Sequence, residues 1–105
     1  METGFDFNNV QKKYLPVTLA DEKQTELFLR SPNKKLMQEM QAIVGDEKNA
    51  QDFDAVCNLM AKILSHNRTG YTVTPDMLAD FELDEILQFF SVYQKFVEDI
   101  YNEKN

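Results

Sequence analysis

From Phe81 to Tyr101 the chain reads FELDEILQFFSVYQKFVEDIY, with apolar residues at helical spacing over a wider arc than one core contact requires. At about 100° per residue, Leu83, Ile86, Leu87, Phe90, Tyr93, Val97, Ile100 and Tyr101 form a continuous stripe, and Phe89, Val92 and Phe96 widen it to about 220°. A surface helix needs a stripe only somewhat over ~100° wide. The pattern predicts a long terminal helix whose surplus apolar surface is either covered by the rest of a small domain or kept for a partner.

Upstream, Tyr14-Leu15-Pro16-Val17-Thr18-Leu19 and Gln24 to Arg30 have β-branched, aromatic and alternating character, and the polar stretch Ala20-Asp21-Glu22-Lys23 separates them. This predicts a hairpin, with Pro16 favouring an edge because it cannot donate to a ladder. Ser31-Pro32 has the form of an N-cap followed by proline at the first helical position. Leu36, Met37, Met40, Ile43 and Val44 then recur at helical spacing, and Gly45 is expected to end that helix. A second helix is expected to begin between Asn49 and Asp52, with Phe53, Val56, Cys57, Met60, Ile63 and Leu64 on one face. Asn67 to Gly70 breaks it, Tyr71-Thr72-Val73 reads as extended, and Thr74-Pro75-Asp76 opens a short helix through Phe81 that leads into the long one. The expected architecture is α+β and mainly helical: a loose arm over residues 1–12, then a single domain over 13–105 with an N-terminal hairpin packed on three to four helices. Phe5 and Phe7 of the arm remain free to dock elsewhere.

A length of 105 residues fits one hydrophobic core. With neither a charged and apolar leader nor a run of about 18 apolar residues, the expectation is a soluble cytosolic protein that makes no membrane contact. The lone Cys57 excludes an intrachain disulfide and reads as a small buried hydrophobe. Asn67-Arg68-Thr69 matches a glycosylation pattern but reads better as a turn. Of the net charge of −7, residues 76–105 carry two basic and eight acidic groups. Cationic side chains supply most of the affinity for phosphate backbones, so direct binding of nucleic acid is not expected. The acidic end either keeps an apolar helix in solution or complements a basic partner.

No arrangement of residues points to catalysis. A Gly-rich phosphate loop, an HExxH, a zinc-spaced Cys and His cluster and a G-x-S-x-G are all missing from the sequence. His66, the only histidine, falls where the second helix should end, and a cation there suits the carbonyl end of the helix dipole. Asp46, Glu47, Asp52 and Asp54 lack the ligand order of an EF-hand and read as acids of a helix start. Met37, Met40, Met60 and Met77 read as core filler rather than as an adaptable groove. The expectation is a protein that is not an enzyme and needs no cofactor or metal.

KYLPVTLADEK, the second strand ELFLRSP, the helix start SPNKKLMQEM and the terminal GYTVTPDMLADFELDEILQFFSVYQKFVEDI together resemble the small tail assembly chaperones of long-tailed phages and prophages of Gram-positive bacteria. These are similar in role to the lambda-type G protein. The resemblance runs over about residues 13 to 102, and its specificity lies in the order of the pieces rather than in any one of them. It implies a holdase that binds the tape measure protein and keeps it soluble until the tail tube polymerises around it. It further implies action in the host bacterial cytoplasm, absence from the mature virion, and a longer −1 frameshifted product that recruits tail-tube protein. Glu103-Lys104-Asn105 is compatible with the slippery run A AAA AAC at the codon level. Phe89, Val92, Phe96 and Tyr101 are the expected partner-binding residues, with self-association when no client is present.

A reading from another class is an acidic mimic of nucleic acid that blocks a basic host protein. Its binding would depend steeply on salt, whereas a chaperone working through apolar area would lose less.

Overall fold

The computed structural model describes residues 4–44 and 52–103. It is α+β and mainly helical. Strands β1 (Tyr14–Thr18) and β2 (Glu26–Arg30) precede helices α1 (Lys34–Val44), α2 (Phe53–Ser65) and α3 (Leu83–Asn102), with single 3-10 turns at Phe7–Asn9 and Pro75–Leu78.

The strands pair antiparallel, with Leu15 opposite Leu29 and Val17 opposite Leu27 facing inward and Pro16 opposite Phe28 facing out. Asp21 organises the connecting loop: its carboxylate accepts from the Thr25 N–H at 2.8 Å and the Thr25 hydroxyl at 2.6 Å. Those two hydrogen bonds, the hydroxyl's first, hold its carboxyl below the usual value of 3.8. Gln24 takes the left-handed backbone (φ 50°) that lets the chain re-enter β2, so the strand starts later than its alternation suggested. Pro16 lies on the edge strand, as expected, because β2 has its other side occupied. The Arg30 N–H donates to the His66 carbonyl and the Arg68 N–H to the Phe28 carbonyl, both at 2.9 Å, around a single bridge between Leu29 and Asn67.

That bridge is anchored by Asn67, a buried polar side chain whose amide capacity is fully used. Its Nδ2 donates to the carbonyls of Leu64 and Tyr71 at 2.8 and 2.7 Å, while Oδ1 accepts from the backbone N–H groups of Thr69 and Tyr71 and from the Thr69 hydroxyl. The turn expected at Asn67-Arg68-Thr69 is thus built by the asparagine itself. Gly70 follows at φ 77°, a conformation costly to any residue with a Cβ. Outside this turn, the Arg68 guanidinium stacks over Phe28 at 4.7 Å and Tyr14 at 5.3 Å.

The start of α1 departs from the sequence pattern. Asn33, not Ser31, is the cap: its Oδ1 accepts from the Leu36 N–H at 2.9 Å, and its carbonyl takes the Met37 N–H. Pro32 therefore precedes the cap instead of opening the helix. A residue before proline is held extended, and the Ser31 carbonyl is used to accept from His66 Nε2 at 3.0 Å. The proposed stop at Gly45 lies outside the described residues, as do Asp46 and Glu47. Asp52 caps α2, accepting from the Ala55 N–H at 3.2 Å, and Asp54 sits in the first turn.

α2 is the centre of the molecule. Leu59, Met60, Ala61, Ile63 and Leu64 are all buried, which is burial over more than half the helix circumference. Ser65 continues its line, donating to the Val73 carbonyl at 3.0 Å and accepting the Val73 N–H at 2.8 Å, so that residues 71–73 run extended beside the helix end. Thr74 precedes Pro75 at the start of the next turn, as the sequence suggests, but the turn is a short 3-10 element that buries Leu78. α3 then begins after Glu82, whose N–H is capped by the Glu85 carboxylate at 2.8 Å. Its contact line is Ile86 and Tyr93, both fully buried, and the Tyr93 hydroxyl donates to the Arg30 carbonyl at 2.9 Å. Burial pushes the Tyr93 phenol well above its ordinary value of 10.0. Among the described residues no helix is long and apolar enough to cross a membrane.

Candidate functional site: an apolar groove between α1 and α3

The Ile86 and Tyr93 line divides the apolar arc of α3 into two flanks with different surroundings. On one flank Phe89 and Phe96 are half-buried and pack against the core, with their rings 6.2 and 5.8 Å from that of Tyr93. Val92, next on the same side, is 52% exposed. On the other flank, Phe90 and Val97 are half-buried, while Leu87 and Tyr101 remain 58% and 62% exposed.

This open flank borders a groove of about 620 Å³ whose opposite wall is Met37, Met40 and Ile43 of α1 and whose floor is Val56 and Leu59 of α2. Gln41, Gln94 and Glu98 supply its few polar side chains. α1 packs on α2, and the groove is left between α1 and α3 above Val56 and Leu59. Two half-exposed methionines in one wall give it thioether surface that adapts to different shapes at little cost.

The four residues singled out in the sequence are therefore not one surface. Phe89 and Phe96 are core-facing, Val92 stands on the outer side, and only Tyr101 reaches the groove. The methionines divide in the same way. Met60 fills the core as expected, Met37 and Met40 line the groove, and Met77 is exposed with its sulfur accepting from the Thr74 N–H at 3.4 Å. Sequence reasoning missed Met37, Met40, Leu87 and Phe90 as a constellation because it requires knowing that α1 and α3 flank the same helix. Part of the signal was available, since Leu36, Met37, Met40, Ile43 and Val44 spread over about 120° of α1 at 100° per residue; what the sequence does not display is that Leu36 is buried while Met37, Met40 and Ile43 are half-buried.

Among the described residues the remaining titratable groups carry no comparable constellation. Cys57 is half-buried instead of buried, and desolvation, then the Asp54 charge, raise its thiol, so it is held as the unreactive thiol. His66 caps α2 and its Nε2 donates to the Ser31 carbonyl, so it ties the helix end to the strand-to-helix link. Among the described residues no group of three or more His, Cys, Asp or Glu side chains is placed to hold a metal ion. A separate cleft, lined by Lys12, Lys13, Arg30 and His66 beside Ile100 and Glu103, lies where the arm meets the end of α3.

Neither a family model, nor a curated protein, nor a solved structure matches this chain.

Proposed function

We propose that the protein is a tail assembly chaperone of a long-tailed phage or prophage, and that its groove between α1 and α3 takes an amphipathic helix of the tape measure protein. The groove carries this reading: an apolar trough open along its length, bordered on α3 by Glu98, suits a helix with an apolar stripe and basic flanks. α3 as a whole also bears Asp84, Glu85 and Asp99 against the single base Lys95, with Glu103 at its cap, so its net negative charge would favour the approach of a basic client. The resemblance to tail assembly chaperones supplies the identity of the client. Action in the host cytoplasm, a longer −1 frameshifted form that recruits tail-tube protein, and self-association through exposed apolar surface of the terminal helix belong to the same proposal.

The test is to clone the long helical reading frame expected downstream and co-express it with this chain. Soluble co-purification that survives about 0.5 M salt, where screening acts within ~4 Å, supports apolar capture. Loss of the complex at that salt would favour the acidic mimic instead. An absent downstream frame, or an insoluble long protein despite co-expression, would remove the chaperone reading.

A further inference from the structure

The chain is acidic, yet the cleft where the arm meets the end of α3 is lined by Lys12, Lys13 and Arg30 against one described carboxylate, that of Glu103. The cleft holds about 590 Å³ and lies at the His66 end of α2, the end away from Asp52. Glu103 forms an ion pair with Lys13, so one carboxylate is already held there. The other two cations are free: among the described residues neither Lys12 nor Arg30 makes an ion pair or a side-chain hydrogen bond. The His66 ring completes this wall, with its Nε2 committed to the Ser31 carbonyl.

Arg30 is the more informative of the two. Every other described lysine and arginine is exposed, whereas Arg30 is half-buried. Its N–H donates to the His66 carbonyl and its carbonyl accepts from the Tyr93 hydroxyl, so the residue is fixed at both backbone groups while its guanidinium lacks an acceptor. A guanidinium partly withdrawn from water is costly unless acceptors meet its fork of donors. Tyr14, directly opposite Arg30 in the strand register, is held as well: the guanidinium of Arg68, the chain's other arginine, lies 5.3 Å from its ring centroid. Val10 and Ile100 give the same cleft further apolar wall. This chemistry selects a carboxylate over a phosphate. α2 and α3 both end at the cleft, at His66 and Glu103, and the carbonyl end of a helix disfavours a doubly charged anion. The paired N–H groups of a guanidinium match the two oxygens of a carboxylate.

We propose that this cleft docks an acidic segment of a partner protein, with an Asp or Glu carboxylate on Arg30 and Lys12 and an adjacent apolar side chain against Tyr14 and Ile100. The apolar wall beside the cations favours a protein segment, which brings both groups, over a small free acid. The site prefers the opposite charge to the groove between α1 and α3, and it stands independently of the client proposed for that groove.

The test is selection of a random nonapeptide library against the whole chain. Enriched peptides should carry Asp or Glu beside Leu, Ile, Phe or Tyr. Replacing that acid by its amide, or Arg30→Gln in the protein, should weaken binding about tenfold, and Lys12→Gln about threefold. Lys95→Gln, which removes an exposed base of α3, should leave binding unchanged. Arg30→Gln should keep the wild-type melting temperature, because its side chain has no described partner; if it does not, Lys12→Gln on the exposed arm carries the test alone. No enrichment, enrichment of basic peptides, or acidic peptides indifferent to Lys12→Gln would each overturn the proposal. Sodium acetate distinguishes a free small acid: displacement of the peptide by ~1 mM acetate would replace the protein partner with a small carboxylate ligand. Sedimentation of the chain alone that shifts with concentration in wild type and not in Arg30→Gln would assign the cleft to a second copy instead.

Discussion

The two flanks of α3 have almost the same sequence chemistry and opposite fates. Phe89 and Phe96 stand on one side of Tyr93 and are drawn into the core, whereas Leu87 and Tyr101 stand on the other and face open space. Nothing in the hydrophobicity of the residues decides this. One flank is closed by rings packing around Tyr93, and the other borders a groove whose far wall is α1. Apolar surface in a helix is thus assigned to core or to partner by the neighbours, and substitutions on the two flanks should separate stability from binding.

Removing the ridge between the flanks should have the largest effect. Tyr93→Ala empties a fully buried ring site and leaves the Arg30 carbonyl without its donor, so denaturant unfolding should show a loss of about 3–5 kcal/mol. A loss under about 1 kcal/mol would mean that α3 is not held through this line. On the closed flank, Phe89→Ser or Phe96→Ser should each cost about 1–3 kcal/mol by the same assay, because half of each ring is already withdrawn from water. If both variants match wild type in stability, the flanks are equivalent and the distinction fails.

Tyr93→Phe isolates the hydroxyl. It should cost about 1 kcal/mol near neutral pH. It should also change the alkaline limb of stability, with the sign following from the raised phenol. The folded chain favours the neutral form, so this contribution is present below the ordinary value of 10.0 and is lost as the pH climbs above it. Unfolding curves from neutral pH to about pH 11 should therefore fall more steeply for wild type than for Tyr93→Phe. Parallel curves would show that the phenol is not desolvated. The smallest effect belongs to the open flank: Leu87→Ser and Tyr101→Ser should stay within about 0.5 kcal/mol of wild type.

Much of this organisation is legible from residue pattern. The strand pair, the long terminal helix, the Asp52 helix start and the turn at Asn67 all rest on local chemistry, which a sequence displays directly. What is not legible depends on which elements meet. Ser31 has the form of a cap, yet Asn33, two residues on, takes that role and the Ser31 carbonyl is claimed by His66. Met37 and Met40 read as core filler because periodicity reports a face without reporting what lies opposite. The central position of α2 is equally hidden, although its run Leu59-Met60-Ala61 followed by Ile63-Leu64 is apolar beyond one stripe, as burial on several sides requires. Of the candidate site, only Tyr101 was visible in advance, since a groove belongs to the juxtaposition of helices and not to any one of them.

The most direct test of a groove that binds through the open flank of α3 is co-purification of the downstream-encoded long helical protein with Leu87→Ser/Tyr101→Ser, beside Val92→Ser as an exposed control on the other side. The account predicts that wild type and Val92→Ser retain the client, while the double variant loses it at unchanged melting temperature. Retention by the double variant at wild-type level, or equal loss with Val92→Ser, would contradict it.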